Sequence, residues 1–293
     1  MSALLAGVAQ GGGFDARQSG CMIGTSAGSI VAASLVAGID PGERLGVAAP
    51  GLASATAPTD GPDARGGLGL PFAAALEWGG AAAAPLVSLA LSSSATGGAI
   101  LRRAMLRRIP AGERSMFELS RIIDAAGPTF DGRLLVAAVE LESGRRVMFG
   151  SPGAPSATVA QAVLASCAIP GVFSPVSIGG RRYVDGGAWS PTNMDAAPAG
   201  RGDRVLCLNP TGSLRPARGA LAGAIGPISR TAASGEALAV RHRGARVRTI
   251  NPDDASARAM GVNLMSRSRR GAVVTAGHAQ GLRLASAGAA RAA

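Results

Sequence analysis

The sequence contains no lysine, only two histidines and few aromatic residues, which make up 3% of its 293 positions. Scarce aromatic side chains leave little to stack on nucleic-acid bases, and no nucleic-acid motif is present, so we predict that the chain does not bind nucleic acid. So few histidines also restrict the choice of a catalytic base. We predict neither a metal site nor a cofactor.

Cysteine is equally rare. Cys21, Cys167 and Cys207 form no C-x-x-C pair, and each lies in an apolar stretch. They are predicted to be buried thiols in a reducing compartment rather than disulfide partners. The first residues lack the basic segment that precedes the apolar run of a signal peptide. We therefore expect a cytoplasmic protein.

A long uninterrupted apolar run is also absent. The longest candidate, residues 71–91, is broken by Glu77, two glycines and Pro85. It is a poor transmembrane span and is predicted to form a surface or substrate-covering helix pair.

The net charge of +11 is confined to one part of the chain. Residues 1–200 hold 14 arginines and 14 acidic residues, whereas residues 201–293 hold 15 arginines and four acidic residues. The default interpretation of this excess is a solvated arginine-rich surface without a partner. The alternative hypothesis is a peripheral contact with an anionic membrane surface, which such a charge would attract.

A G-x-S-x-G pattern occupies Gly24 to Gly28. Apolar residues typical of a buried strand precede it, and small apolar residues at helical spacing follow it. Strand, sharp turn and helix together are typical of a nucleophile elbow, with Ser26 as nucleophile and the Ala27 N–H as an oxyanion donor. Gly24 and Gly28 are expected to allow close backbone approach. The alternative is a glycine-rich turn that only packs tightly.

The serine needs a base, and two kinds of residue are candidates. His278 would complete the order serine, aspartate, histidine, but only 25 residues precede Ser26, too few for the strands that precede the serine in an α/β-hydrolase. Asp185 follows a strand-like segment, and Gly186 and Gly187 leave room for close backbone approach. It is the better candidate for a general base, although an aspartate in D-G-G also stabilises its own turn.

Three segments together resemble the bacterial patatin-like phospholipases: G-T-S-A-G at 24–28, A-S-C-A-I-P-G-V-F at 165–173 and Y-V-D-G-G at 183–187. The resemblance spans residues 2–210. It implies a three-layer α/β/α sandwich with a central, mostly parallel sheet, and a Ser26–Asp185 dyad that hydrolyses acyl esters of lipids without a cofactor. It further implies that residues 165–173 shape the core beside the site.

One feature departs from that family, whose members begin with a buried strand and a glycine-rich oxyanion loop. Only seven residues separate Gly11–Gly13 from Cys21, too few for the helix that follows the loop, so we reject these glycines as the oxyanion loop. We expect the first strand and loop to be absent. The chain as printed is then expected to be nearly inactive and poorly soluble, with no glycine-rich loop facing Ser26 from its N-terminal side.

We therefore predict a single patatin-like domain over residues 1–293, with a family-like core at 2–210 and an arginine-rich part at 211–293. The predicted activity is that of a serine acyl-ester hydrolase. The alternatives are a catalytically impaired lipid-binding relative and a triad esterase that uses His278. Residues 48–71 are predicted to be a mobile excursion, and residues 72–126 to be mostly helical with a solvated basic face formed by Arg102, Arg103, Arg107 and Arg108.

Overall fold

A computed structural model describes residues 1–45, 96–112, 116–213, 225–261 and 268–289. The helices of this described part are α1 (Ser2–Gln10), α2 (Ala27–Val36), α3 (Thr96–Leu106), α4 (Phe117–Ala126), α5 (Val159–Cys167), α6 (Ile225–His242), α7 (Asp254–Met260) and α8 (Arg270–Ala289). The strands are β1 (Met22–Thr25), β2 (Leu134–Glu140), β3 (Arg146–Phe149), β4 (Val176–Ile178), β5 (Arg181–Asp185), β6 (Arg204–Leu208) and β7 (Arg246–Ile250).

The strands form two sheets. A five-stranded sheet has the order β1-β2-β5-β4, with β3 also paired to β2, and a two-stranded sheet joins β6 to β7. Helices and sheet together confirm the predicted α/β class. The expectation of a mostly parallel central sheet is wrong, because β1 pairs parallel to β2 whereas the β2–β3, β2–β5 and β4–β5 pairs are antiparallel.

Short turns explain two of the three antiparallel pairs, β2–β3 and β4–β5. Gly179 and Gly180 both have positive φ and join β4 directly to β5, and Gly144, also at positive φ, lies in the turn between β2 and β3. A tight turn of this kind returns the chain antiparallel, whereas a parallel pair needs a long crossover.

Helices cover both faces of the larger sheet. Every residue of β2 is buried, and its alternate residues Leu134, Val136 and Ala138 share one core cluster with α2 and α5. On the opposite face, Val139 packs in a cluster with Leu106 of α3. The alternation follows from the two-residue repeat of a strand and gives helix, sheet and helix layers.

The smaller sheet has its own helices. α6 packs on one face through Ala237 and Val240, which share a core cluster with Cys207 of β6. On the other face Leu206 and Leu208 share a cluster with residues of α1 and α8. α1 therefore lies between the two sheets, because its Leu5 belongs to the core cluster of the larger one.

Local signals in the sequence locate most of these elements. Apolar spacing predicts a helix at residues 2–10, an apolar run predicts a buried strand at 134–140, and residues 181–184 have a strand-like pattern. All three elements are confirmed. Residues 255–285 have a helical pattern that predicts a helix there, but they do not form one continuous helix, since α7 ends at Met260 and Gly261 follows with positive φ. The excursion at 48–71 and the residues up to 95 lie outside the described residues.

The predicted helix pair at residues 71–91 is likewise outside the described part. Within that part, none of the helices combines the length and apolar character that a membrane crossing requires.

Two glycines of α8 offer a test of the α1–α8 contact. A Cβ on Gly281 would overlap the Leu4 carbonyl oxygen, whereas a Cβ on Gly288 would meet no heavy atom within 4 Å. We expect Gly281→Ala to lower the free energy of unfolding by about 1–3 kcal/mol through overpacking. Gly288→Ala should raise it by up to about 1 kcal/mol, because alanine is the better helix former. Urea denaturation measures the free energy of unfolding of both variants. Equal effects of the two substitutions would contradict the close contact between α1 and α8 at Gly281.

Candidate active site

The turn between β1 and α2, residues 24–28, is called the elbow turn here. Ser26 has φ 51° and ψ −127°, a strained backbone for a residue with a side chain. A Cβ on Gly24 would overlap the backbone of Ser29, so this position requires glycine, as expected. Gly28 differs from the expectation, because its Cβ would meet only Met1 Sδ at 4.0 Å; it faces an open cavity rather than a packed neighbour.

Two other serines hold the elbow turn. The Ser26 N–H donates to Ser166 Oγ at 2.9 Å, and Ser29 Oγ donates to the Ser26 carbonyl at 2.6 Å. Ser166 is fully buried at the end of α5, in the A-S-C-A stretch that was expected to shape the core beside the site. Its sequence motif indicated the neighbourhood but not this hydrogen bond.

The Ser26 N–H is thus engaged, so the donors that the turn can offer to a ligand are the N–H groups of Ala27 and Gly28 at the start of α2. Ala27 is the first residue of α2, so no carbonyl within the helix accepts its N–H. Gly11–Gly13 follow α1, with the Gly13 N–H bonded to the Val8 carbonyl, and these glycines do not line the cavity that contains Ser26.

Asp185 lies at the end of β5, opposite Ala138 of β2, and begins a 3-10 turn over Gly186–Ala188. These four residues, 185–188, are called the base turn here. The Asp185 carboxylate accepts the Gly187 N–H at 2.6 Å. A Cβ on Gly186 would overlap the Ala137 carbonyl oxygen, and one on Gly187 would lie 3.0 Å from Asp185 Oδ1. Asp185 therefore does stabilise its own turn, and both glycines have the close neighbours that were expected.

The Asp185 residue is only 5% exposed. Burial raises the pKa of its carboxyl group to about 6, while hydrogen bonds from the Gly187 N–H and from the Ser26 side chain act in the opposite direction. The structure thus brings the Ser26 hydroxyl and the Asp185 carboxylate together, although the two residues are far apart in the sequence.

Both side chains line a cavity of about 2180 Å³. Its walls include residues of β1 and β6, which belong to different sheets, together with apolar side chains from α1, α2 and the segment after α3. These apolar lining residues include Leu5, Met22, Val31, Leu35, Ile109 and Leu206. A space of this size and character fits a long hydrocarbon chain beside the two polar groups.

The histidines lie elsewhere. His278 Nε2 is 2.6 Å from Gln10 Oε1 at the end of α1, and His242 is the exposed last residue of α6. Neither residue lines the cavity with Ser26 and Asp185. The structure therefore does not bring His278 to Ser26. The hydrogen bond between His278 and Gln10 instead joins α8 to α1.

Arg102 corrects the expectation of a solvated basic helix face. Its side chain is fully buried, and burial, followed by the nearby charge of Arg146, lowers its pKa to about 10. The guanidinium lies 4.2 Å from the ring centre of Trp189 and donates to the carbonyls of Ala188 at 3.0 Å and Gly144 at 2.8 Å. It supports the base turn from the far side of the sheet, a contact that no local pattern predicts.

A second residue that sequence reasoning missed is Asn193. It is fully buried and contacts both Thr25, next to Ser26, and Gly186, next to Asp185. No local pattern in the sequence singles out Asn193, because asparagine is a common residue in loops.

Comparison with known proteins gives one finding. A family model described as patatin-like phospholipase matches residues 20–198, more than half of the chain. The match includes the elbow turn, the base turn and Asn193, and it ends before the arginine-rich part. A search of curated proteins returns no match.

Proposed function

Because this chain belongs to the patatin-like phospholipase family, whose members are generally lipid acyl hydrolases, we propose that it hydrolyses acyl esters of lipids with a Ser26–Asp185 dyad. One observation carries the proposal: a serine on a strained strand-to-helix turn meets a buried carboxylate at the wall of a large apolar cavity. The elbow turn is then the nucleophile elbow that its sequence predicts.

Acylation begins when Ser26 Oγ attacks the ester carbonyl carbon and its proton passes to the Asp185 carboxylate. A base with a pKa of about 6 is ionised at neutral pH and still basic enough to accept that proton. The carbonyl oxygen becomes an oxyanion beside the Ala27 N–H and the positive end of the α2 dipole.

The tetrahedral intermediate collapses when the ester C–O bond breaks and Asp185 returns its proton to the leaving alcohol. The acyl group, now bound to Ser26 as an ester, lies along the apolar cavity. Asp185 then takes a proton from water as the water attacks the acyl-enzyme. The ester bond to Ser26 Oγ breaks, Asp185 returns the proton to that oxygen, and the fatty acid leaves. Every proton in this cycle moves between Ser26, Asp185, water and the leaving alcohol, so the scheme uses no cofactor.

A fluorophosphonate probe and a p-nitrophenyl ester of a short acid test the proposal together. We expect peptide mass spectrometry to find the phosphonyl group on Ser26. A His242→Ala, His278→Ala double variant should keep both the labelling rate and the esterase activity, because neither histidine lines the cavity.

The other outcomes identify the alternatives. Activity that disappears in the double variant would indicate a triad with histidine as base. A protein that binds lipid vesicles but neither reacts with the probe nor turns over the ester would be the impaired relative.

We further propose that the C-terminal arginines contact anionic lipid. Arg246 and Arg248 of β7 are exposed, so their charges are available to a surface. We expect binding to vesicles that contain phosphatidylglycerol and a steep loss of binding with salt, because exposed charges are screened over about 8–10 Å near physiological ionic strength. Vesicle sedimentation over a salt series measures this.

Two double variants of equal charge provide the control. Arg246→Gln with Arg248→Gln should weaken vesicle binding more than Arg107→Gln with Arg121→Gln, which removes two exposed arginines outside the C-terminal part. Binding to neutral vesicles that is equally strong and insensitive to salt would contradict the electrostatic contact.

A further inference from the structure

Asn193 lies eight positions beyond Asp185 and is fully buried, with φ 49° and ψ 27°. This left-handed backbone is uncommon for residues other than glycine, and asparagine tolerates it better than most. Strained conformations of this kind persist only where surrounding contacts hold them, and they cluster at functional sites.

The side-chain amide of Asn193 joins the two halves of the site. Its Nδ2 donates to Thr25 Oγ1 at 3.0 Å and is 3.3 Å from the Gly186 carbonyl oxygen. Thr25 directly precedes Ser26, and Gly186 directly follows Asp185. The same nitrogen also donates to the Ser190 carbonyl at 2.7 Å, so its two hydrogens serve three acceptors.

Asn193 is itself held in place from the other side. Its Oδ1 accepts a hydrogen bond from an Arg146 guanidinium nitrogen at 3.2 Å. Arg146 in turn binds both carboxylate oxygens of Asp195, at 2.6 and 2.8 Å. Bidentate pairs of this type fix geometry well. The amide therefore has one anchored oxygen and one nitrogen that reaches the elbow turn and the base turn.

We propose that Asn193 is a positioning residue that holds the elbow turn and the base turn at the separation required for proton transfer from Ser26 to Asp185. The inference rests on the dyad chemistry proposed above. Proton transfer requires the two side chains to be within hydrogen-bond distance, and a displacement of about 1 Å costs on the order of 10²-fold in rate. Without the amide, Ser166 would still hold the elbow turn and Arg102 the base turn, but the hydrogen bonds that join Thr25 to Gly186 would be lost.

Two variants separate the effect of the Asn193 side-chain amide from the effect of its left-handed backbone conformation. Asn193→Gly keeps the left-handed conformation available but removes the amide. Asn193→Asp keeps the shape and the acceptor toward Arg146 but replaces the donor toward Thr25 and Gly186 with an acceptor. The assay measures kcat, KM and the pH profile for a p-nitrophenyl ester, with kcat expressed per site that reacts with the fluorophosphonate probe.

We expect both variants to lose on the order of 10²-fold in kcat with KM changed less than about 3-fold, and the apparent pKa in kcat/KM to move from the wild-type value. The matched control is Gln280→Ala. Gln280 is another buried amide that bridges two segments, donating to the Asn251 carbonyl at 2.8 Å and accepting from Ser256 Oγ at 3.0 Å, and it does not line the cavity. This control should leave kcat per reactive site unchanged.

The outcomes distinguish this inference from the proposed function. If Ser26→Ala is inactive but both Asn193 variants keep kcat and the pH profile, the dyad stands and the positioning role is wrong. If both variants only lose folded protein, with normal kcat per reactive site or no folded fraction at all, Asn193 is structural and the inference is also wrong. Retained activity in Ser26→Ala would overturn the proposed function itself.

Discussion

Ser26→Ala is expected to reduce ester hydrolysis from the parental rate to the uncatalysed background, and to abolish labelling by the fluorophosphonate probe. The hydroxyl oxygen is the atom that bonds to the acyl carbon in the proposed cycle, and alanine has no substitute for it. The fold should survive, since the elbow turn is held by the backbone of Ser26, through Ser166 and Ser29, rather than by its hydroxyl.

Ser286→Ala is the matched control. Ser286 is an exposed serine of α8 whose hydroxyl donates to the Leu282 carbonyl within the same helix. This variant should keep parental activity and labelling. If Ser26→Ala still becomes labelled, the site of the label would identify a different nucleophile and contradict the dyad.

Asp185→Asn is expected to cost a similarly large factor in kcat, because an amide oxygen is not basic enough to take the serine proton. For the parent protein, kcat/KM should rise with pH through about 6 and level off above it, since the ionised carboxylate is the active form. The pH profile of ester hydrolysis checks this. A profile with no inflection near pH 6 would count against Asp185 as the base.

The same substitution is expected to stabilise the protein near neutral pH. The pKa of Asp185 is about 6 in the folded state and 3.8 as the ordinary value, so the folded chain holds the proton more tightly than the unfolded chain. Folding stability therefore falls as pH rises from about 4 to above 6, and the ionised buried carboxylate costs roughly 3 kcal/mol. The amide oxygen that the substitution introduces can still accept the Gly187 N–H without that cost.

Urea denaturation at two pH values tests whether Asp185→Asn stabilises the protein as expected. Asp185→Asn should exceed the parent in free energy of unfolding at pH 8 and match it at pH 4. Asp195→Asn should have the opposite effect on stability. Burial raises the pKa of the Asp195 carboxyl group, but the hydrogen bonds and charge of Arg146 lower it more, so folding stabilises the ionised form. That variant should be less stable than the parent at pH 8. Equal stability of parent and Asp185→Asn at pH 8 would mean that the Asp185 charge is well solvated.

Local patterns in the sequence determined the elements that carry Ser26 and Asp185. An apolar segment, two glycines around a serine and a run of small residues are sufficient to place Ser26 between β1 and α2. The D-G-G sequence similarly places Asp185 at the end of β5. Backbone preferences and side-chain periodicity act over a few neighbouring residues, so they are visible without any knowledge of the fold.

The sequence determined the directions of the strands less completely than their positions. The Gly179–Gly180 pair in the sequence is typical of a tight turn, yet the whole sheet was expected to be mostly parallel. Pairing between β2 and β5 depends on where each strand lies in the completed sheet, and their antiparallel arrangement follows from the path of the chain between them rather than from their residues.

Only the tertiary structure decided the environment of Ser26 and Asp185. Ser166 holds Ser26 from 140 positions away, and Asn193 reaches Thr25 across 168 positions. Neither residue type nor spacing predicts such pairs, because they arise when α5 and the segment after the base turn pack around the end of β1. The raised pKa of Asp185 has the same origin: an aspartate in the sequence is an ordinary acid, and burial by distant segments raises its pKa to about 6.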